Sequence, residues 1–560
     1  MSDGATAPLR VVLCWHMHQP DYRHAETHEY RAPWTYLHAI KDYTDMAWHL
    51  ETNPDARVVV NFSPVLLEQL EDYGNRIAET LATGADPGDP LLAALASRGI
   101  GTDTRLRRRL LSACARTNAR VIERFAPYRE LVETAELALG HPHMVSYLSE
   151  QYFADLLVWY HLAWCGETLR RGDRCVARLV DTQRGYTPDD RRELLAWIGH
   201  TISQLIPRYR ALMERGQVEL STSPCTHPIL PLLLDLESAR EARPELPLPV
   251  HGRYPGGAAR VRWQLGEARR RFAEAFGVQP GGCWPSEGAV STPVLEMVEE
   301  SGFRWAASSL GVLVNSADLP HDSEHFHRPY RTPGGSVCFF RDDGLSDRIG
   351  FLYKDWAPAE AVRDFVDHLE SLAARPASPG RVLAVILDGE NPWDSYAENG
   401  YGFLRGLYAA LTASPRLRLS TFSDCLDDPE VEVRKLDKVC AGSWVYGALD
   451  TWIGTQAKNA GWDRLSELKL AFEAWMQGYP PDEEVRRGTQ LLAVCEASDW
   501  FWWLGSGNPP EVVMEFDAGL REQIAALYRH MGAAVPASLS EPLGEAGPSD
   551  RTGVMLPGYL

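Results

Sequence analysis

The sequence predicts an α/β protein whose parallel sheet is closed into a barrel or widely open, with a helical domain behind it. Three observations carry this. Short β-branched runs alternate with amphipathic helical stretches, as βα units do. The runs are apolar almost throughout, as strands covered on both faces must be. Strand signals then fade beyond about residue 430, where helical patterns with Trp-rich turns take over.

The elements follow in order. "LRVVLCW" (9–15) and "ARVVVNF" (56–62) are the first two strands. "TGADPGDP" (83–90) is a loop signal, and the Arg-rich helical sequence after it marks a helical insertion near 74–145. The amphipathic stretch 191–216 leads into "VEL" (218–220), and the stretch 258–277 leads into "GCW" (282–284). "RWAASS" (304–309), "RVLAVILDGE" (381–390) and "LRLSTFSDCL" (417–426) complete about seven units. The expected domains are therefore 8–430 for the strands and their helices and 431–535 for the helical part. A tail rich in Pro, Gly and Ser at 536–560 is expected to be irregular.

Composition narrows the function classes. The net charge is −20, and basic residues cluster only in short runs such as Arg107-Arg108-Arg109, which argues against a nucleic-acid surface and for a neutral or small substrate. The ten cysteines are scattered without a C-x-x-C pair and sit in apolar settings, as in a reducing compartment. The first twenty residues lack a basic region followed by a long apolar stretch, and no window is apolar enough to span a membrane. A cytoplasmic protein with no membrane partner is expected. Eighteen tryptophans are many, and aromatic faces stack on the C–H faces of sugars as well as filling cores.

Polar clusters end the predicted strands, and in a parallel barrel those ends form the face where loops build active sites. "CWHMHQPDY" (14–22) places His16 and His18 on one side of a strand, with Gln19 after them. Such a pair can hold zinc or hold sugar hydroxyls. "GQVELSTSPCTHPILPLL" (216–233) carries Glu219 inside a short strand and His227 on its loop. "GGCWPSEGAVS" (281–291) exposes Glu287 on a stiff loop beside Trp284. "VILDGENPWDSY" (385–396) ends a strand on Asp388, with Gly389 permitting a tight turn and Glu390, Asn391 and Trp393 following. "AGSWVYGALDTWIG" (441–454) sets Trp444, Asp450 and Trp452 among glycines, as a sugar-binding lid or an interdomain hinge would. Two carboxylates at separate strand ends with aromatics around them fit glycoside hydrolysis, which needs one acid for the leaving oxygen and one carboxylate across the sugar.

These residues resemble glycoside hydrolase family 57. The "HQP" of "WHMHQP", then "GQVEL", "CWPSE", "LDGENPW" and "GSWVYGALDTWIG" look like its five motifs, in order, across about 10–530. "NFSPVLLEQLEDY" (61–73), "STSPCTHPILPLL" (221–233), "DGENPWDSYAENG" (388–400) and "SDWFWWLGSG" (498–507) are similar to the amylase and amylopullulanase branch rather than the branching enzymes. The resemblance implies a (β/α)7 barrel, distorted and TIM-like, whose cleft a C-terminal α-helical domain completes. It also implies a retaining mechanism on α-glucans, with no cofactor and no required metal. Carried over, Glu287 is the nucleophile and Asp388 the general acid/base, while His18 and Glu219 orient the sugar that is cleaved, with Trp284 nearby. His16, Gln19, His227, Glu390, Trp393, Trp444, Asp450 and Trp452 are the further expected substrate contacts. Glu287 is expected to stay ionised beside His16 or His18, and Asp388 to be kept protonated by burial and by Glu390. One departure stands out: Asp343 occupies a loop position where relatives carry His. Three rivals remain: 4-α-glucanotransfer at the same site, a metal-dependent hydrolase using His16 and His18, and a non-catalytic glucan-binding protein.

Overall fold

The computed structural model describes residues 8–544, apart from 318, 320–322, 376–379 and 506–507. The strands are β1 (Leu9–Met17), β2 (Val58–Phe62), β3 (Val218–Thr222), β4 (Gly282–Cys283) and β5 (Trp305–Ser309). They continue with β6 (Tyr330–Arg331), β7 (Val337–Arg341), β8 (Val382–Asp388), β9 (Leu417–Leu419) and β10 (Arg434–Lys435). Seven of them, β1-β2-β3-β4-β5-β7-β8, pair in parallel, and β8 returns to β1 to close a barrel.

The seventh strand is not the one the sequence pattern nominated. "LRLSTFSDCL" supplies only β9, which pairs with β1 outside the ring. Thr421 and Asp424 then form a reciprocal cap that turns the chain into a helix at Phe422–Asp427. The ring is completed instead by β7, the strand of "GGSVCFF".

Alternation along the strands separates two cores. On β1, Leu9, Val11, Leu13, Trp15 and Met17 pack outward with Val58, Val60 and Phe62 against the surrounding helices. Val12 and Cys14 belong instead to the cluster that holds Val59, Ile386, Ala384 and Cys283. Between β2 and β3 the chain is helical over most of 64–214, ending in the long helix Pro188–Glu214. The insertion expected near 74–145 is thus only part of this excursion. Its later helices bury Phe153, Leu156 and Trp159 in the outer core, which they share with the outward faces of the strands.

Beyond the barrel, helices Gln456–Met476, Asp482–Cys495, Ser498–Trp503 and Pro510–His530 pack together and onto the inner cluster. Glu496 anchors them. This fully buried carboxylate accepts hydrogen bonds from Tyr254 Oη (2.6 Å), Arg260 Nε (2.6 Å) and Nη2 (2.9 Å), and Gln264 Nε2 (2.8 Å). Within the tail, Ala537–Ser540 forms a short 3-10 turn, and 545–560 lie outside the described residues. Among the described residues no helix is long and apolar enough to cross a membrane.

Candidate active site

Register brings the first site residues together. His16 lies level with Asp388 on β8 and with Asn61 on β2, and Asn61 with Ser221 on β3. This inward layer sits at the C-terminal ends of the strands. Asn61 Nδ2 donates to Ser221 Oγ (3.0 Å), so Asn61 Oδ1 is the acceptor for Ser223 Oγ (2.9 Å) and His16 Nδ1 (2.7 Å). The His16 proton is therefore on Nδ1, which leaves Nε2 as a bare acceptor with no partner among the described residues. Burial drives its pKa down to about 3, so the ring is neutral.

Two more imidazoles stack beside it. His18 and His227 lie 3.8 Å apart between ring centroids, and His16 is 5.1 Å from His227. His18 is fixed from both sides, by Ser63 Oγ (2.8 Å) and by Asp499 Oδ1 (3.0 Å), so the helical domain reaches into the barrel mouth. His227, held at a φ of 62°, meets Ser498 Oγ (3.1 Å). Its Nδ1 is 3.9 Å from Glu287.

Glu287 sits in the turn Ser286–Gly288 after β4, at a φ of 58° that a β-carbon disfavours. Pro285 before it and the Trp444 N–H to the Glu287 carbonyl (2.9 Å) hold it there. Its Oε2 accepts from Trp444 Nε1 (2.9 Å). Trp284, fully buried, lies between His16 and Trp444 and closes the wall. The expected histidine donors to Glu287 are replaced by this indole, because His16 and His18 are spent on Asn61, Ser63 and Asp499.

Asp388 ends β8, and the chain turns at once, with Gly389 N donating to His16 O (2.7 Å). A β-carbon at 389 would run into the Met17 thioether, so a larger residue there would have to push the Met17 side chain aside. Asn391 Nδ2 donates to Asp388 Oδ2 (2.7 Å). Burial raises the pKa of Asp388, while His18 and Arg341 pull it back. Burial, and then the charge of Asp388, lift Glu287 to about 8. Glu287 is thus not held ionised as expected. Both carboxyls are raised, Glu287 in part by the charge of Asp388, so the ionisation of the two is linked.

The remaining expected residues divide. Glu390 is buried, accepting from His18 N (3.3 Å) and Gln19 Nε2 (3.3 Å), and burial with the nearby Asp388 pushes its pKa well above the carboxylate range. It lies beneath the loop, and Gln19 is its partner there. Trp393 is a core residue: its Nε1 caps Gly389 O (2.9 Å) and its ring packs on Trp15. Glu219 lies one inward layer below His16, level with Val59, and binds Trp305 Nε1 (2.7 Å), Ser423 Oγ (2.6 Å) and Ser423 N (3.0 Å). It ties the lower barrel together rather than orienting a sugar, because its strand places only Ser221 in the upper layer. Trp452 packs on Trp502 in the inner core, and Asp450 faces Arg243 at 3.5 Å. Asp343 accepts from Arg341 Nε (2.6 Å) and Gly311 N (3.1 Å). It thereby holds the Arg341 guanidinium 5.2 Å from the Trp444 ring.

Asn61, Asp499 and Arg341 belong to this site and were not nominated from the sequence. The polar ends of "VVVNF" and of "SDW" were signals for the first two. A cation could be offered ligands by His18, His227 and Asp499, whose ligand atoms lie within 4.8 Å of one another, whereas His16 is outside that group. The stacked rings of His18 and His227 direct their lone pairs in near-parallel planes, so a shared ion would require one ring to turn.

Fold and site together are a parallel (β/α)7 barrel with two carboxyls, Glu287 and Asp388, delivered to the C-terminal ends of its strands. Residues 12–439 match the family model described as Glycosyl hydrolase family 57, most of the chain, and the protein belongs to that family. Its fold is similar to that of the α-amylase AmyC from Thermotoga maritima (15% identity, 95% of each chain, TM-score 0.55). It is also similar to a GH57 branching enzyme from Thermococcus kodakaraensis (15% identity, 98% of this chain and 99% of that one, TM-score 0.57). A 4-α-glucanotransferase from Thermococcus litoralis aligns over 94% of this chain and 60% of its own, at 15% identity and a TM-score of 0.51.

Proposed function

We propose that this protein cleaves α-1,4-linked glucans with retention of anomeric configuration, as a cytoplasmic amylase-type enzyme. The observation that carries the reading is the pair Glu287 and Asp388, delivered from β4 and β8 to one barrel mouth and coupled by charge. Glu287 attacks the anomeric carbon as the glycosidic bond breaks, and Asp388 gives its proton to the departing oxygen. The reacting form is the one in which Asp388 carries the proton and Glu287 is ionised; the Trp444 indole N–H steadies the Glu287 carboxylate in that form, and His18 and Arg341 bear on Asp388. In the second step Asp388 takes a proton from water, whose oxygen displaces Glu287 from the sugar carbon. His16 Nε2 is a free acceptor for a sugar hydroxyl. The fold-sharing amylase supports an α-glucan substrate, and ten unpaired cysteines support a reducing compartment.

The test is turnover of maltoheptaose and pullulan by the parent protein, Glu287→Gln and Asp388→Asn. Shorter products alone, abolished in both variants, are expected. Products longer than maltoheptaose would make the second step transfer to a sugar hydroxyl, and full turnover by Glu287→Gln would overturn the assignment.

A further inference from the structure

A cavity with a volume of about 550 Å3 opens beside the candidate active site. It lies where the loop after β1, the helical excursion and the C-terminal helices meet. Trp34 comes from the first, Tyr160 from the second, and Trp500, Trp503 and Phe516 from the third. Trp503 and Phe516 stack with ring centroids 5.4 Å apart, forming one continuous aromatic face that is only partly buried. The cavity is continuous with the site, because Asp499 lines it while bonding His18, and Pro20-Asp21-Tyr22 line it directly after the His18-Gln19 pair.

The rim is polar and of mixed sign. Arg109 and Arg116, both on or beside the helix Thr104–Ala115, are exposed and make no ion pair among the described residues. Glu515 is exposed on the C-terminal side. A purely apolar ligand would leave these groups unused. A polyanion would meet Asp21, Asp499 and Glu515. A neutral polyhydroxy chain matches both features, with C–H faces for the rings and vicinal hydroxyls for guanidinium and carboxylate. The volume lies inside the ~300–1,000 Å3 span of ligand sites, room for more than one sugar ring.

We propose that this aromatic cleft binds the extension of the α-glucan chain beyond the bond that is cut, so that chain length is read by Trp503, Phe516 and Arg116. This rests on the reading of the substrate as an α-glucan. It explains why the helical excursion and the C-terminal helices converge at the barrel mouth: each supplies one wall.

The full-length protein is titrated calorimetrically with maltoheptaose and with maltose, in the Glu287→Gln background and with Trp503→Ala or Arg116→Ala added. Maltoheptaose affinity is expected to fall by about tenfold or more in Trp503→Ala, and measurably in Arg116→Ala, with maltose affinity unchanged. Arg116 is exposed, so its variant keeps the fold. Unchanged maltoheptaose affinity in both variants overturns the cleft, as does an equal loss for both sugars. Turnover by Glu287→Gln is scored separately: activity there strikes the catalytic assignment and leaves the chain-length comparison intact.

Discussion

Replacing Glu287 by Gln tests the electrostatics of the site before any substrate is added. The side chain is 14% exposed, and its carboxyl is lifted from 4.5 to about 8 by burial and by Asp388. Below pH 4.5 the folded and unfolded chains both carry this proton, and folding incurs no penalty. Between 4.5 and 8 the unfolded chain ionises while the folded one does not, so stability falls as pH rises, and above 8 the penalty is complete. At pH 7 it amounts to on the order of 3 kcal/mol. Gln keeps an oxygen for the Trp444 indole and never ionises, so it removes the penalty alone. Thermal unfolding of the parent and Glu287→Gln between pH 4 and 8 reads the difference. The variant is expected to match the parent at pH 4 and to melt about 2–3 °C higher at pH 7, given the unfolding entropy of a chain this long. A difference that stays flat across this range, or a less stable variant at pH 7, would refute the account of Glu287.

Three further outcomes follow from named contacts. Glu496→Ala strands the Arg260 guanidinium in the core and is expected to cost about 3–5 kcal/mol, seen as early melting of the C-terminal helices in thermal unfolding. Glu219→Ala breaks the bonds to Trp305 and Ser423, costing about 1–3 kcal/mol in denaturant unfolding while leaving KM for maltoheptaose unchanged. Trp444→Phe removes the one N–H aimed at Glu287, so ionisation of that carboxylate becomes harder and the acidic limb of the pH–rate profile moves up by about one pH unit.

Much of the barrel was legible because its physics is local. Apolar runs that lead into polar clusters mark β1, β3, β4 and β8, and Asp388 and Glu287 stand out as carboxylates at or just after strand ends. What escaped depends on register and on distant packing. Glu219 and Ser221 differ by two residues on one strand, and only the pairing with Val59 and Asn61 says which is in the upper layer. Trp393 and Trp444 are both aromatics in glycine-rich loops, yet one caps Gly389 in the core and the other reaches Glu287. Asp499 lies 481 residues from His18, and no local pattern couples them. The raised pKa of Glu287 escapes sequence reasoning for the same reason: it comes from burial and from Asp388, a hundred residues away, which only the closed barrel brings near.

Covalent trapping tests the central claim most directly. The protein is incubated with a fluorinated α-glucosyl or α-maltosyl fluoride that slows release of the intermediate, then digested and mapped by mass spectrometry. The expected result is a single glycosyl adduct on Glu287, absent in Glu287→Gln and accumulating to higher level in Asp388→Asn. An adduct on another residue, or turnover with inversion and no adduct, would contradict the carboxylate pair as the engine of this enzyme.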